Sequence, residues 1–217
     1  MTSWDNCHVK FALSQLVFPA PLLAACLQAG GRGRGGFFIY DTRDKPSHQV
    51  MIDLHCHILP GIDDGPSHTD ETMKMAMQAR NDGITTCVAT PHYHSGVCEP
   101  HPDSVIRQCV TLNHRLASEK LDLMVLPGME VHLMPGMVKL LDQNQILTLG
   151  DSNFVLVEIP DHPSSGWVQR EIDELIVARY RPIIAHPERC PLFQHKPDFL
   201  FELINHGIVT PGFWTGG

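Results

Sequence analysis

The sequence of 217 residues lacks the features of several large protein classes. It has no surplus of basic residues, since 16 Lys and Arg stand against 24 Asp and Glu and give a net charge of −8. A nucleic-acid-binding surface needs basic side chains to neutralise phosphates, so we expect no nucleic-acid partner. The 7 cysteines include no C-x-x-C pair. This pattern favours a reduced compartment, and we expect a cytoplasmic protein.

The first fifty residues also lack a long uninterrupted apolar run. Proline and polar residues interrupt residues 11–26, FALSQLVFPAPLLAAC, so we expect no membrane insertion. The run Leu23-Ala24-Ala25-Cys26 resembles a lipoprotein cleavage box, but Lys10 is the only firm positive charge before it, and a signal peptide is an alternative. We expect residues 1–50 to form an atypical leader, disordered or non-native, and residues 51–217 to form the domain.

From Met51 onward, strand and helix patterns alternate. The predicted strands are continuous apolar runs, which is typical of parallel strands buried on both faces. The pattern predicts an α/β fold, for which we favour a (β/α) barrel over a doubly wound open sheet, because no glycine-rich nucleotide fingerprint is present. The predicted strands are residues 51–55, 84–90, 122–131, 154–159 and 182–186, with a further strand beginning at 208. The predicted helices are residues 69–83, 102–120, 167–180 and 196–207.

Side chains able to bind metal follow each predicted strand from the first to the fifth. The carboxyl ends of barrel strands meet at one rim, so we expect these side chains to converge. A single histidine after a strand is commonly a polar loop residue, but agreement among all these strands is hard to obtain by chance. A buried glutamate also needs a positive partner. These metal-binding side chains are His55, His57, Asp63 or Asp64, His92, Glu130, Glu158 and His186. Glu188 and Arg189 lie just beyond His186.

The chemistry of these groups indicates the kind of site. Imidazole and carboxylate without thiolate favour Mn²⁺, Fe²⁺ or Zn²⁺ over a structural zinc cage. So many ligands would serve a cluster of about two to three ions, which can activate a hydroxide and clamp a transferring phosphoryl group. Arg189 could hold phosphate oxygens. His94 and His132 lie near enough to support the ligands or contact a substrate, and we expect the other histidines at the surface.

Five segments carry a family resemblance: MIDLHCHILPGIDDGP, ITTCVATPH, GMEVHL, VLVEIP and PIIAHPERC. In order and spacing, residues 51–208 resemble the capsule- and exopolysaccharide-associated protein-tyrosine phosphatases of the polymerase-and-histidinol-phosphatase (PHP) superfamily. The resemblance implies a distorted (β/α)7 TIM-like barrel with an Mn²⁺ cluster, for which Fe²⁺, Zn²⁺ or Mg²⁺ are alternatives. It also implies hydrolysis of phosphotyrosine on a bacterial tyrosine autokinase that controls polysaccharide export. Whether the protein forms a homo-oligomer is left open.

The resemblance also assigns roles to individual residues. Arg189 matches an arginine that binds phosphate and takes part in catalysis. The implied metal ligands are His55, His57, Asp64, His92, Glu130, Glu158 and His186.

This chain departs from the resemblance at both ends. Residues 1–50 have no counterpart in the relatives. The chain closes with PGFWTGG, where relatives continue to an Asp-x-His pair that supplies further ligands. We therefore expect a barrel that is incomplete at its C-terminus, without its last strand and helix, and a weakened metal cluster.

Other functions stay open at this point. The same scaffold could serve a histidinol-phosphatase-like or other small-molecule phosphoesterase, an amidohydrolase, or an inactive remnant that docks on a kinase tail. Cys26–Arg32 and Cys109–Arg115 have the spacing of cysteine-dependent tyrosine phosphatases. Neither pair lies in a convincing phosphate loop, and we interpret both as coincidences.

Overall fold

The computed structural model describes residues 51–208. The expectations for residues 1–50, including the Cys26–Arg32 spacing, and for a strand beyond residue 208 lie outside the described residues. Between residues 51 and 208, no helix combines the length and the hydrophobicity that crossing a membrane requires.

Strands and helices alternate along the described chain, as the sequence predicts. The strands are β1 (Met51–Cys56), β2 (Ile84–Ala89), β3 (His92–Tyr93), β4 (Met124–Pro127), β5 (Glu130–His132), β6 (Phe154–Glu158) and β7 (Arg181–Ile184). The α-helices are α1 (Thr69–Asn81), α2 (Pro102–Ser118), α3 (Met137–Asp142), α4 (Ser165–Val177), α5 (Pro191–His195) and α6 (Pro197–Asn205). Single 3-10 turns cover Leu149–Asp151 and Pro187–Arg189.

All the strand ladders are parallel, and they form two sheets in the orders β1-β2-β4 and β3-β5-β6-β7. The parallel α/β architecture is therefore confirmed. The predicted TIM-like barrel is not confirmed, because the two sheets do not close within residues 51–208, where β1 and β4 are the edges of one sheet and β3 and β7 are the edges of the other.

The division into two sheets follows one break at the end of the predicted strand 84–90 and a second break within the predicted strand 122–131. Thr90 and Pro91 separate β2 from β3, and Gly128 and Met129 separate β4 from β5. A Cβ on Gly128 would lie 2.8 Å from Val88 Cγ1, so a larger residue at this second break would displace the Val88 side chain. The backbone N–H of Thr90 donates to the Cys56 carbonyl at 2.9 Å, and the N–H of Glu130 donates to the Pro91 carbonyl at 3.0 Å. These bonds hold the strand ends together across the breaks.

Both faces of the strands are buried, as the continuous apolar runs predict. The outer face packs against the helices, and its strand residues include Cys87, Val125, Val155 and Val157. The inner face carries a separate cluster: Ile52, Leu54, Val88, Leu149, Phe154, Leu156, Ile183 and Ala185. Along β6 the two clusters alternate residue by residue, and Glu158 therefore follows Leu156 on the inner face.

An irregularity in β1 changes this alternation. The β1–β2 register shifts between Asp53 and Cys56. Leu54 packs in the inner cluster, but Cys56, two residues later, packs in the outer cluster. A bulge of this kind re-aims the side chains that follow it. It allows His55 and His57 to meet side chains of the inner face.

Candidate metal centre

Strand register brings the candidate ligands of the middle strands together. His92, the first residue of β3, pairs with Glu130, the first residue of β5. One step further along, His132 pairs with Glu158, the last residue of β6. Because the strands are parallel and the paired residues share a face, the side chains gather at the carboxyl end of the inner face.

The carboxylate of Glu130 lies at the centre of the cluster. Its Oε2 is 3.0 Å from His55 Nε2, 3.1 Å from His57 Nε2 and 3.2 Å from His92 Nδ1. The side chain is 1% exposed. Its second oxygen, Oε1, is buried and has no hydrogen-bond partner among the described residues. A buried anion that several imidazoles face on one oxygen, with the other oxygen unsatisfied, is suited to bind a cation.

Two further carboxylates extend the cluster toward solvent. Asp64 Oδ1 lies 3.7 Å from His57 Nδ1 and 3.7 Å from His92 Nε2. Glu158 Oε2 lies 3.7 Å from His92 Nδ1. The side chains of Asp64 and Glu158 are 58% and 38% exposed, so ions and water can reach this side of the cluster.

Six of the predicted ligands fall into overlapping groups. In each group the ligand atoms lie within 4.8 Å of one another: His55, His57 and Glu130; His57, Asp64 and His92; His92, Glu130 and Glu158. His57, His92 and Glu130 each belong to two groups. Shared ligands of this kind suit neighbouring ions better than one isolated ion. Imidazole nitrogen and carboxylate oxygen are a donor set that fits Mn²⁺, Fe²⁺ or Zn²⁺. We call these six residues the metal centre.

The charges of the metal centre shift the pKa values of its members. Burial alone would raise the pKa of Glu130, but hydrogen bonds and attraction from His55 and His57 outweigh burial and hold the pKa well below its usual range. Burial alone would lower the pKa of His57, but hydrogen bonds to Asp63 and Glu130 raise it to about 10. The proton retained on His57 holds positive charge where a metal ion would hold it, so metal binding would release this proton.

His186 lies beside the metal centre but outside its groups of ligand atoms, and Arg189 follows it in the next turn of the chain. The ring of His186 is 4.6 Å from the ring of His55, centre to centre. Burial lowers the pKa of His186, and the neighbouring His55 lowers it further. The backbone of His186 has a φ of 43°, a strained left-handed conformation for a residue with a side chain. Arg189 is 48% exposed, and its Nε lies 3.8 Å from Glu188 Oε1.

Asp63 is a site residue that the sequence reasoning did not select over its neighbour Asp64. His57 Nδ1 donates to Asp63 Oδ2 at 2.6 Å, which leaves Nε2 toward Glu130. The same oxygen accepts the His92 backbone N–H at 3.0 Å, and Oδ1 accepts the Gly65 N–H at 3.0 Å. A Cβ on Gly65 would lie 2.4 Å from the His57 carbonyl oxygen, so glycine permits this turn. The Asp-Asp-Gly sequence is the signal that could have identified Asp63.

Asp53 is a second supporting residue that sequence reasoning missed. Its Oδ1 accepts the backbone N–H of His55 at 3.1 Å. Burial raises the pKa of Asp53 to about 6, although the His55 backbone bond and the positive field of His55 and His57 lower it in part. An aspartate inside the apolar run MIDLH is the signal that marks it.

The cysteine–arginine pair within the described residues does not form a phosphate loop. Cys109 is buried inside α2, and burial raises the pKa of its thiol to about 12. Arg115 Nε donates to Glu119 Oε1 at 2.6 Å on the same helix. A buried neutral thiol is a poor nucleophile, so the interpretation of this pair as a coincidence agrees with its surroundings.

Comparisons with known proteins identify the family. The family profile described as "Capsular polysaccharide synthesis, CpsB/CapC" matches residues 51–210. The chain belongs to this family.

Individual relatives are similar over the same region. The chain is 37% identical over 169 residues to the tyrosine-protein phosphatase YwqE of Bacillus subtilis (strain 168), a match that covers 76% of this chain and 66% of YwqE. It is 27% identical over 160 residues to the tyrosine-protein phosphatase CpsB of Streptococcus pneumoniae, covering 74% and 66%. The chain therefore spans slightly less than two thirds of the length of these relatives.

A solved structure shares the fold. It comes from the crystal structures of YwqE from Bacillus subtilis and CpsB from Streptococcus pneumoniae, described as unique metal-dependent tyrosine phosphatases. The TM-score is 0.70 at 36% identity, and the match covers 74% of this chain and 65% of the solved chain.

Proposed function

We propose that this chain is a metal-dependent protein-tyrosine phosphatase that hydrolyses phosphotyrosine in a partner protein. The observation that carries the proposal is the convergence of His55, His57 and His92 within 3.2 Å of one buried oxygen of Glu130. Membership of the capsular polysaccharide synthesis family and likeness to proteins named tyrosine-protein phosphatases support the choice of substrate.

The proposed metal is Mn²⁺, bound as a cluster of about two to three ions. Glu130 would be the shared carboxylate at the closed side of the cluster, and Asp64 would bind from the open side. When bound, such ions supply Lewis acidity toward phosphoryl oxygens and lower the pKa of a water. The proposed ligands are His55, His57, Asp64, His92, Glu130, Glu158 and His186.

The side chains around the cluster would position the ligands and the substrate. Asp63 accepts the Nδ1 proton of His57 and so fixes the tautomer that presents Nε2 to the cluster. Arg189 would bind the non-bridging oxygens of the phosphate with its guanidinium fork. Arg189 is exposed, and its Nε lies 3.8 Å from Glu188 Oε1. If the Arg189 side chain turns toward a phosphate, it therefore breaks only a weak ion pair.

The proposed partner is a tyrosine autokinase of polysaccharide export in the cytoplasm. The carboxyl end of the inner face, which carries Asp64 and Glu158 partly exposed, is open enough to receive a phosphorylated side chain of a protein. Cys87, Cys98, Cys109 and Cys190 are free thiols, which agrees with a reducing compartment.

The test uses the full chain, stripped of metal with a chelator and reloaded with Mn²⁺. We expect bound metal by elemental analysis and hydrolysis of a phosphotyrosine peptide that chelation abolishes and Mn²⁺ restores. Faster turnover of histidinol phosphate than of the peptide would instead indicate a small-molecule phosphoesterase. A fully metal-loaded chain that hydrolyses neither substrate would contradict the proposal and favour an inactive remnant.

A further inference from the structure

The rings of His94 and His132 stack on each other beside the metal centre. Their centroids are 4.0 Å apart and their planes differ by 6°. We propose that this stacked pair is a specificity-determining wall that packs against the aromatic ring of an aryl phosphate. The proposal rests on the proposed phosphatase function and names the part of the substrate that the pair would recognise.

Strand register explains why the pair lies next to the ligands. His92 pairs with Glu130 in the β3–β5 ladder, and Tyr93 pairs with Val131. The next step along this ladder brings His94 opposite His132, and side chains two residues apart on a strand share a face. The pair therefore lies on the same face as His92 and Glu130, one step further toward the carboxyl end where a substrate would enter.

The pair is distinct from the proposed ligands. None of the groups of ligand atoms within the described residues contains His94 or His132. His132 Nδ1 is buried without a hydrogen-bond partner among the described residues, and it lies 3.7 Å from Glu158 Oε2. The ring of His132 is thus held between a proposed ligand and a second imidazole ring, which suits a surface that orients a bound group.

The loop after β3 fixes the position of His94. The backbone N–H of His94 donates to the Cys98 carbonyl at 2.8 Å, and the N–H of Cys98 donates back at 2.9 Å. Ser95 Oγ and the Gly96 N–H both donate to Glu99 Oε1 at 2.8 Å. These bonds hold the backbone of His94, and its ring stacks on His132, so the ring is already ordered before a ligand arrives and little conformational entropy is lost on binding.

The chemistry of the pair favours an aromatic partner over an aliphatic one. Aromatic rings prefer offset-stacked or edge-to-face contacts with other rings, and these contacts add to simple burial of area. An aryl phosphate held at the metal centre carries its ring on the ester oxygen, one atom away from the phosphorus. An alkyl phosphate has no ring to offer the pair and would gain only burial.

The test measures binding of phenylphosphonate and methylphosphonate to the full chain loaded with Mg²⁺, which is diamagnetic and permits NMR. We expect phenylphosphonate to bind about three- to tenfold more tightly and to shift the imidazole proton resonances of His94 and His132 through its ring current. His94→Ala and His132→Ala should remove the preference. His94→Phe and His132→Phe should keep it, because phenylalanine preserves the stacking surface but has no nitrogen.

Controls separate this role from metal binding and from the proposed function. His206→Ala, an exposed position after α6, should leave the preference unchanged. Metal content should stay the same in the Phe variants. Equal binding of both phosphonates to the unmodified chain, an unchanged preference in the Ala variants, or loss of metal in the Phe variants would each overturn the inference. If the chain hydrolyses no phosphate ester but keeps the phenyl preference, the proposed phosphatase function fails and the aromatic wall stands.

Discussion

Strand β1 has two faces, and each carries a group of side chains that could bind a metal ion. On the inner face, His55 and His57 meet Glu130. The neighbouring Asp64 is 58% exposed, so this group is open to solvent on one side. The donors are imidazoles and carboxylates, which bind hard or borderline divalent ions.

On the outer face, Asp53, Cys56 and Cys87 also bring their ligand atoms within 4.8 Å of one another. All three are buried, at 5%, 6% and 0% exposure. Burial raises the pKa of Asp53 to about 6, so the surroundings resist negative charge. Asp53 already accepts the His55 N–H.

The difference between the two faces shows that close ligand atoms are not sufficient for a metal site. An ion needs a path from solvent and donors that can lose their protons. The inner group has both, whereas the outer group is enclosed by the helices and the strand core. We therefore interpret the outer group as support for β1.

The largest expected effect is on the inner face. Glu130→Gln keeps the size of the side chain and removes its charge, so the imidazoles lose their shared anion. We expect metal affinity and turnover of p-nitrophenyl phosphate to fall by at least about a hundredfold, while the circular dichroism spectrum is retained.

Glu171→Gln is the matched control for this change. Glu171 is a buried glutamate at 5% exposure, but it lies in α4 and pairs with Arg170 at 2.9 Å. This variant should keep its metal and its turnover. Equal metal affinity in the Gln variants of both glutamates would show that the inner face is not the metal centre.

A smaller loss is expected from Asp63→Asn. The amide cannot hold the Nδ1 proton of His57 as a carboxylate does, so the ring is free to adopt the wrong tautomer. Metal affinity, measured by competition with a coloured chelator, should fall about ten- to a hundredfold. Asp70→Asn, an exposed change in the first turn of α1, is the control. An Asp63 variant that binds metal as tightly as the control would contradict the orienting role.

A substitution on the outer face should lower the stability of the fold and leave the activity unchanged. Cys87→Ala leaves a small void in the core, and we expect a loss of about 1 kcal/mol in the free energy of unfolding by urea. Metal affinity and turnover should stay unchanged. Loss of metal with unchanged stability would move the metal site to the outer face.

The smallest effect is expected from alkylation of the buried thiol of Cys109. Burial raises its pKa from 9.0 to about 12, so the folded state favours the neutral thiol. The stability of the folded state that depends on a neutral Cys109 is therefore fully present below pH 9. It is lost as pH rises through 12, where the thiol ionises in the folded state. Iodoacetamide at pH 8 should therefore leave Cys109 unmodified and turnover unchanged, by peptide mapping, although the urea-unfolded chain reacts. Rapid modification with loss of turnover would restore Cys109–Arg115 as a catalytic candidate.

Sequence patterns predict the order of strands and helices because continuous apolar runs and amphipathic segments are local signals. They also predict that His55, His92, Glu130 and Glu158 come together, because the carboxyl ends of parallel strands share one edge. The family is predicted from the motifs, and the match over residues 51–210 confirms it. The ligand roles stay a prediction.

Other features depend on how the folded chain brings residues together, and local patterns do not settle them. The breaks at Pro91 and Gly128 depend on how closely neighbouring strands approach. At the second break, a Cβ on Gly128 would lie only 2.8 Å from Val88 Cγ1. The Asp-Asp-Gly sequence marks the turn, but the choice of Asp63 over Asp64 as the partner of His57 Nδ1 depends on the direction that the folded turn takes. Barrel closure requires pairing between first and last strands, which no local pattern reports.

The register shift in β1 lets one strand present an apolar set and an ionic set on the same face. Before the shift, Ile52 and Leu54 pack in the inner cluster, and after it His55 and His57 meet Glu130. In an evenly alternating strand of the same sequence, His55 and His57 would lie on the opposite face from Ile52 and Leu54, toward the helices. An evolving lineage can thus exchange apolar residues of similar size in β1, whereas a change of pairing that removes the shift would separate the histidines from their carboxylate.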